Sequence, residues 1–138
     1  MNDNALKLLG LAKKARMLEI GEEPVSIVCR NAKARLLMLA ADSADHTVRR
    51  AQSFCRTGKP LLITLPFRKD ELGGALGCNA CAMCAFTDAP FAKKFVESLE
   101  QPQQYESVCE ELDRQTVRIL KRRAEQKAHR KNVKLGKK

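Results

Sequence analysis

Three cysteines separated by pairs of residues, Cys78, Cys81 and Cys84, have a spacing that suits a metal. On a loop, C-x2-C-x2-C can offer three thiolates to zinc or to an iron–sulfur cluster. A fourth ligand at a matching interval is missing, because Cys29, Cys55, Cys109, His46 and His129 are scattered. The surrounding residues also read as a strand, in which a three-residue step sends successive side chains to opposite faces. Cys81 and Cys84 are then expected to diverge and to pack as small apolar groups. No metal and no cofactor are expected. Without a secretory leader, a reducing compartment is the better assumption, so the six cysteines are expected as thiols.

The other reactive side chains do not assemble a catalytic set. There is no G-x-S-x-G, no phosphate-binding glycine loop and no H-E-x-x-H, and one of the two histidines lies in a basic tail. Gly73-Gly74-x-x-Gly77 falls within and after a helical stretch rather than after a strand, where glycines serve close packing and a cap. Enzyme activity is not expected. Glu22 and Glu23 are more informative, since they start a predicted helix in a basic chain. Backbone N–H groups at such a start can hold phosphate. A carboxylate there repels phosphate but can accept hydrogen bonds from base edges, as Glu does from the cytosine amino group. Complementing the helix dipole accounts for the pair equally well.

Charge supplies the polyanion. The chain has 26 Lys and Arg against 16 Asp and Glu, a net +10. Residues 118–138 hold ten Lys and Arg and one acid; residues 97–117 hold six acids and one Arg. Residues 1–96 hold fifteen bases and nine acids. A basic C-terminal arm on a mildly basic domain suits nucleic acid ahead of an anionic membrane, with a solvated tail as the plainer reading. At 138 residues the chain suffices for one domain with a real core. Its longest apolar run, residues 80–86, is far short of the roughly 20 residues that cross a bilayer. No stretch fits a signal peptide, so a cytoplasmic protein is expected.

The positioning elements follow from periodicity. Leu6, Leu9, Ala12 and Ala15 recur at helical spacing over residues 3–16. A short strand at 17–20 leads through Gly21 into a helix over 24–33, with Pro24 in its first turn. The apolar run 35–41 predicts a strand buried on both faces. A helix over 44–56, a strand over 61–65, a short helix over 69–76 capped by Gly77, a strand over 80–86 and a helix over 89–99 capped by Thr87 and Asp88 follow. This alternation predicts one sheet between helices. Residues 101–104 read as a linker. A further helix over 103–120 follows, either docked or projecting, and from Lys121 onward a disordered basic arm is expected. The division is thus a domain over 1–100 and a C-terminal helix with basic arm over 101–138.

Five segments in register resemble one family. They are Leu8-Leu9-Gly10-Leu11-Ala12-Lys13-Lys14-Ala15; Gly21-Glu22-Glu23; Ala34-Arg35-Leu36-Leu37-Met38-Leu39-Ala40-Ala41-Asp42; Asp70-Glu71-Leu72-Gly73-Gly74-Ala75-Leu76-Gly77; and Thr87-Asp88-Ala89-Pro90-Phe91-Ala92-Lys93-Lys94. Residues 5–96 so resemble the kink-turn RNA-binding ribosomal proteins of the L-seven-Ae type, especially the small bacterial YlxQ-type members. The resemblance implies a three-layer α/β/α sandwich around a four-stranded mixed sheet. It implies RNA as the partner, a kink-turn or ribosomal RNA, with the ribosome as the assembly and no membrane. Recognition would be of shape and of distorted, accessible bases.

By position, Gly21 matches the glycine that opens the family's second helix, and Glu22 and Glu23 match the Gly-Glu-Glu of the YlxQ-type members. The family's G-x-N-E places its Asn on Glu23 and its Glu on Pro24, and its Lys one turn later falls on Ile27. The base-covering loop falls on Cys78, Asn79 and Ala80. Arg68 and Lys69 take the place of a basic residue facing the RNA backbone, with Lys13, Lys14 and Arg16 expected to flank the same edge. Lys121, Arg122, Arg123, Lys127, Arg130 and Lys131 are expected to add RNA affinity without specificity. A protein-docking module on the same fold is the alternative.

Overall fold

In the computed structural model, which describes residues 3–136, Leu36, Leu37, Met38 and Leu39 are all buried, yet they serve two different cores. Leu36 and Met38 join one apolar cluster, Leu37 and Leu39 the other. A strand buried on both faces needs a layer of helices on each side. The chain supplies them in the order α1 (Asp3–Lys14), β1 (Leu18–Ile20), α2 (Glu22–Arg30), β2 (Leu36–Leu39), α3 (Asp45–Phe54), β3 (Leu61–Thr64), α4 (Lys69–Leu76), β4 (Met83–Phe86), α5 (Ala89–Ser98) and α6 (Pro102–Gly136).

The sheet order is β1-β4-β2-β3. β4 is antiparallel to both β1 and β2, whereas β2 and β3 are parallel. Three strands therefore run one way and the central β4 runs back. Leu18, Phe86, Leu36 and Leu61 lie in one row across it. On one face α1, α4, α5 and the first half of α6 cover Leu36, Met38, Cys84 and Phe86. Phe86 meets Phe91 and Phe95 at ring-centroid distances of 5.8 and 5.4 Å. On the other face Val25, Val28 and Cys29 of α2 and Ala51 of α3 cover Leu37, Leu39, Met83 and Ala85. The result is the expected three-layer α/β/α sandwich on a four-stranded mixed sheet, with a C-terminal helix.

Two expectations are corrected. The last strand begins at Met83, not at residue 80. The backbone donors of Cys78 and Cys81 go instead to Gly73 O (2.9 Å) and Lys69 O (3.0 Å), which lays the loop along α4. Gly73 makes that approach possible, since a Cβ there would lie 2.8 Å from backbone atoms of Asn79 and Ala80. Cys81 and Cys84 consequently do not diverge: both enter the same core cluster and hydrogen-bond to each other. That bond, with complete burial, pushes the Cys84 thiol well up. Cys78 stays exposed, and among the described residues no three His, Cys, Asp or Glu side chains gather as metal ligands.

The second correction concerns the C-terminus. Residues 101–104 are not a linker, because α6 opens at Pro102, a residue whose fixed φ and missing N–H suit a first helical position. Nor does order end at Lys121; α6 continues to Gly136. Residues 121–136 include Lys, Arg, Ala, Glu, Gln and Leu, all good helix formers, and they extend a helix already nucleated. Its first half is docked. Tyr105 and Leu112 are buried in the core, and Tyr105 Oη donates to Thr64 O at 2.9 Å. Lys93 of α5 binds Asp113 at 2.7 Å, which raises the lysine pKa, and Arg123 lies 3.5 Å from Asp88. No helix among the described residues is long and apolar enough to cross a membrane.

Candidate nucleic-acid interface

The strand directions bring the ends of β1, β2 and β3 and the start of β4 to one end of the sheet. There Gly21 turns the chain from β1 into α2 with φ +95°, a conformation that L side chains rarely adopt. Its N–H donates to Met83 O at 2.9 Å, which fastens the start of α2 beside the loop that enters β4. Ala40 N donates to Ala82 O (2.9 Å), and Ser43 Oγ reaches the carbonyls of Ala40 (2.9 Å) and Ala82 (3.2 Å). Asp42 Oδ1 accepts from Lys69 N at 2.8 Å and so holds the start of α4 against the end of β2. These bonds tie the starts of α2 and α4 and the end of the loop entering β4 to one surface at this end of the sheet.

On this surface Glu23, Arg68, Cys78, Asn79 and Ala80 are exposed, and Gly21, Glu22 and Lys69 are half-buried. Glu22 Oε1 receives Arg50 Nη1 of α3 at 2.7 Å. Glu23 enters none of the ion pairs among the described residues, and its backbone carbonyl accepts from Ser26 Oγ at 2.7 Å. Ile27, one turn on, shares Glu23's outward face and is 42% exposed. Arg68 lies 4.0 Å from Asp42 and 3.8 Å from Asp70, and Glu71 Oε1 accepts from its N–H at 3.0 Å. Five carboxylates, Glu22, Glu23, Asp42, Asp70 and Glu71, thus share this end with Arg50, Arg68 and Lys69. Such a surface is better suited to accepting hydrogen bonds than to collecting phosphates.

The basic end of α1 is divided. Lys13 Nζ donates to Leu76 O, at the end of α4, where Gly77 closes the helix at φ +76°. This cation therefore sits beside the loop that begins at Cys78. Lys14 and Arg16 are exposed. Met17 O accepts from Thr87 N at 2.9 Å, and Leu18 pairs with Phe86, so Arg16 lies at the opposite end of the sheet from Gly21. β1 separates the two by about 10 Å. The expected flanking of one edge by Lys13, Lys14 and Arg16 is not what the fold provides.

On α6, Lys121, Arg122, Arg123 and Lys127 are exposed, while the side chains of Arg130 and Lys131 lie outside the described residues. Sequence reasoning missed three participants. Arg50 holds Glu22 and Asp42 caps α4, and neither role shows in a local pattern. Arg35, at the entry to β2, faces α6; its only sequence signal is a cation at the mouth of an apolar strand.

No protein-family model matches the chain. The chain is 35% identical over 97 residues to the RNA-binding protein YlxQ of Bacillus subtilis, a match spanning 67% of this chain and 92% of that protein. A solved Bacillus halodurans protein of unknown function superposes with a TM-score of 0.62 at 29% identity, covering 70% of this chain and 97% of its own. The Giardia lamblia 15.5kD RNA binding protein shares the fold at a TM-score of 0.54 and 16% identity, with 72% and 84% of the two chains covered. The identity to YlxQ over nearly the whole of that relative shows that the chain belongs to the YlxQ family.

Proposed function

We propose that the chain is a non-enzymatic, cytoplasmic RNA-binding protein of the ribosome-associated kind, which reads a sharply bent RNA with the start of α2 and the loop before β4. The observation that supports this reading is the hydrogen bond from Gly21 N to Met83 O, which ties the start of α2, where Glu23 is exposed, to the strand that the exposed loop 78–80 leads into. Membership of a family that includes an RNA-binding protein supports it. In the bend, unstacked or sheared bases offer amino groups that carboxylates can accept from. Glu22 and Glu23 supply the acceptors, with Arg50 orienting Glu22. Asn79 offers both donor and acceptor to an extruded base, over a loop held down at Gly73. Arg68 and Lys69 reach neighbouring phosphates. With five carboxylates near them, these two cations contribute position rather than bulk affinity.

The test is a titration of the full chain at near-physiological salt. The RNAs are a kink-turn, the same RNA with its G·A pairs made Watson–Crick, and a duplex of equal length. A tenfold preference for the kink-turn, ~1.4 kcal/mol, is expected, and Glu23→Ala should erode it. Equal binding of all three overturns the reading. It would favour protein docking through α2, for which the exposed Ile27 beside Glu23 is the specific observation.

A further inference from the structure

We propose that Arg35, Arg118 and Arg122 form a second anion site, at the end of the sheet opposite Gly21, and that it takes a backbone phosphate of RNA. The inference rests on the reading of the chain as an RNA binder but uses none of the residues assigned to the bend. A cleft of about 150 Å³ opens where α6 passes the entry to β2, lined by Arg35, Gln115, Arg118, Ile119 and Arg122. A second hollow of about 240 Å³ shares Arg35, Ile119 and Arg122 with it. At ~30 Å³ per water, the first is large enough for a phosphate group.

The three arginines are brought to the wall of one cleft by the structure. Arg118 and Arg122 are four residues apart on α6 and so share a face. Arg35 is held by the sheet: its N–H donates to Phe86 O at 2.7 Å, and its carbonyl accepts from Leu61 N at 3.3 Å. It is half-buried, and neither it nor Arg122 enters an ion pair among the described residues. The compensating acids are already committed. Glu111 lies 2.7 Å from Arg114 and 3.7 Å from Arg118, and Asp88 pairs with Arg123 at 3.5 Å. Glu111 offsets Arg118, while Arg35 and Arg122 have no such partner among the described residues, so an entering anion would relieve their repulsion, and guanidinium forks match phosphate oxygens. Gln115 adds a detail. Its Oε1 is buried without a hydrogen-bond partner, while its amide nitrogen donates to Glu111. That acceptor is closed to solvent, so the assignment to RNA rather than free phosphate rests on the proposed function and on the two arms of the test.

The experiment is a salt titration of the full chain on an RNA duplex, comparing wild type with Arg35→Gln, Arg122→Gln and the control Lys7→Gln, a charge exposed on α1. Each arginine variant should make the plot of log affinity against log salt shallower, by up to ~0.9 where the phosphate contact is lost, while Lys7→Gln leaves the slope unchanged. Slopes of both arginine variants matching that of Lys7→Gln overturn the proposal. Thermal melting checks Arg35→Gln for folding, and Arg122→Gln, on an exposed helix face, keeps the test decisive if the first variant is unstable. Inorganic phosphate at matched ionic strength is the second arm. It should displace RNA no better than chloride, and specific displacement at submillimolar phosphate would assign the cleft to the free ion and overturn the RNA assignment. The ratio of kink-turn to Watson–Crick affinity is recorded throughout. It should not move in either arginine variant. A wild-type ratio of one sinks the bend reading without touching the slopes, and unchanged slopes sink the cleft without touching the ratio.

Discussion

The two ends of the sheet differ in charge and in how the backbone is tied. At the Gly21 end, five carboxylates face three cations, the backbone is tied by hydrogen bonds from Gly21, Ala40 and Lys69, and a small-residue loop stands exposed. At the other end Arg16, Arg35 and Lys59 precede β1, β2 and β3, and α6 brings Arg118, Arg122 and Arg123 across to them, against Asp88. The first end has acceptors and fixed geometry, which suit discrimination between bases. The second has charge, which suits attachment to any backbone. Nucleic-acid binders generally need both, since phosphate contacts position and base contacts specify. In the reading proposed above the two tasks sit at opposite ends of β4, so each should be open to damage without the other.

The largest separation should come from Leu112→Ala. Leu112 is fully buried and anchors α6, so its loss should cost about 2–5 kcal/mol in denaturant unfolding. It should also loosen the cationic end, seen as a shallower salt dependence on duplex RNA, with the kink-turn ratio intact. Loss of the ratio instead would show that the ends are mechanically coupled. Gly73→Ala attacks the other end. The added methyl meets the loop backbone at 2.8 Å, and overpacking of this kind costs about 1–3 kcal/mol. The kink-turn ratio should collapse while the duplex slope stays.

A smaller, pH-driven effect falls on the layer behind Glu22. Burial raises the Cys29 thiol, and burial followed by Cys29 raises Cys55 from 9.0 to about 11. A raised thiol favours the protonated form in the folded state, so its contribution is whole below pH 9.0 and is lost as the pH climbs through the folded value. Urea midpoints measured from about pH 8 to about pH 11 should fall, and Cys55→Ala should flatten part of that fall. Arg50→Ala is the mildest change. The pair it breaks is exposed and worth about 1 kcal/mol or less in stability, yet freeing Glu22 should reduce the kink-turn ratio a few-fold and leave duplex binding alone.

The layers were legible in the sequence because each strand and helix carries its own periodic signature. β2 announced burial on both faces through its unbroken apolar run, and both Gly77 and Asp88 cap where their types suggest. The stretch 80–82 was misread because Ala-Cys-Ala satisfies a strand pattern and a packed loop equally. Only the position of Gly73 under Ala80 decides between them, and that is a tertiary fact. The disorder expected beyond Lys121 followed from the fading apolar stripe, which measures docking rather than helicity. At the candidate site, Gly21 and the Glu pair could be found by spacing. Arg35 could not, since its partners Arg118 and Arg122 reach it only when α6 has crossed the molecule.

The strand order also schedules assembly. Among the described residues β1 has a single neighbour, β4, and β4 is the last strand. While the protein is being synthesised, residues 18–20 have no strand to pair with until Phe86 has emerged, whereas β2 and β3 can pair as soon as Thr64 is made. The turn at Gly21 is then closed by its bond to Met83 only at the final insertion. A nascent chain stopped before Phe86 would carry the Glu pair on a helix packed on β2 and α3 but not yet tied to β4, so the RNA reading proposed for this surface would wait for the complete sheet.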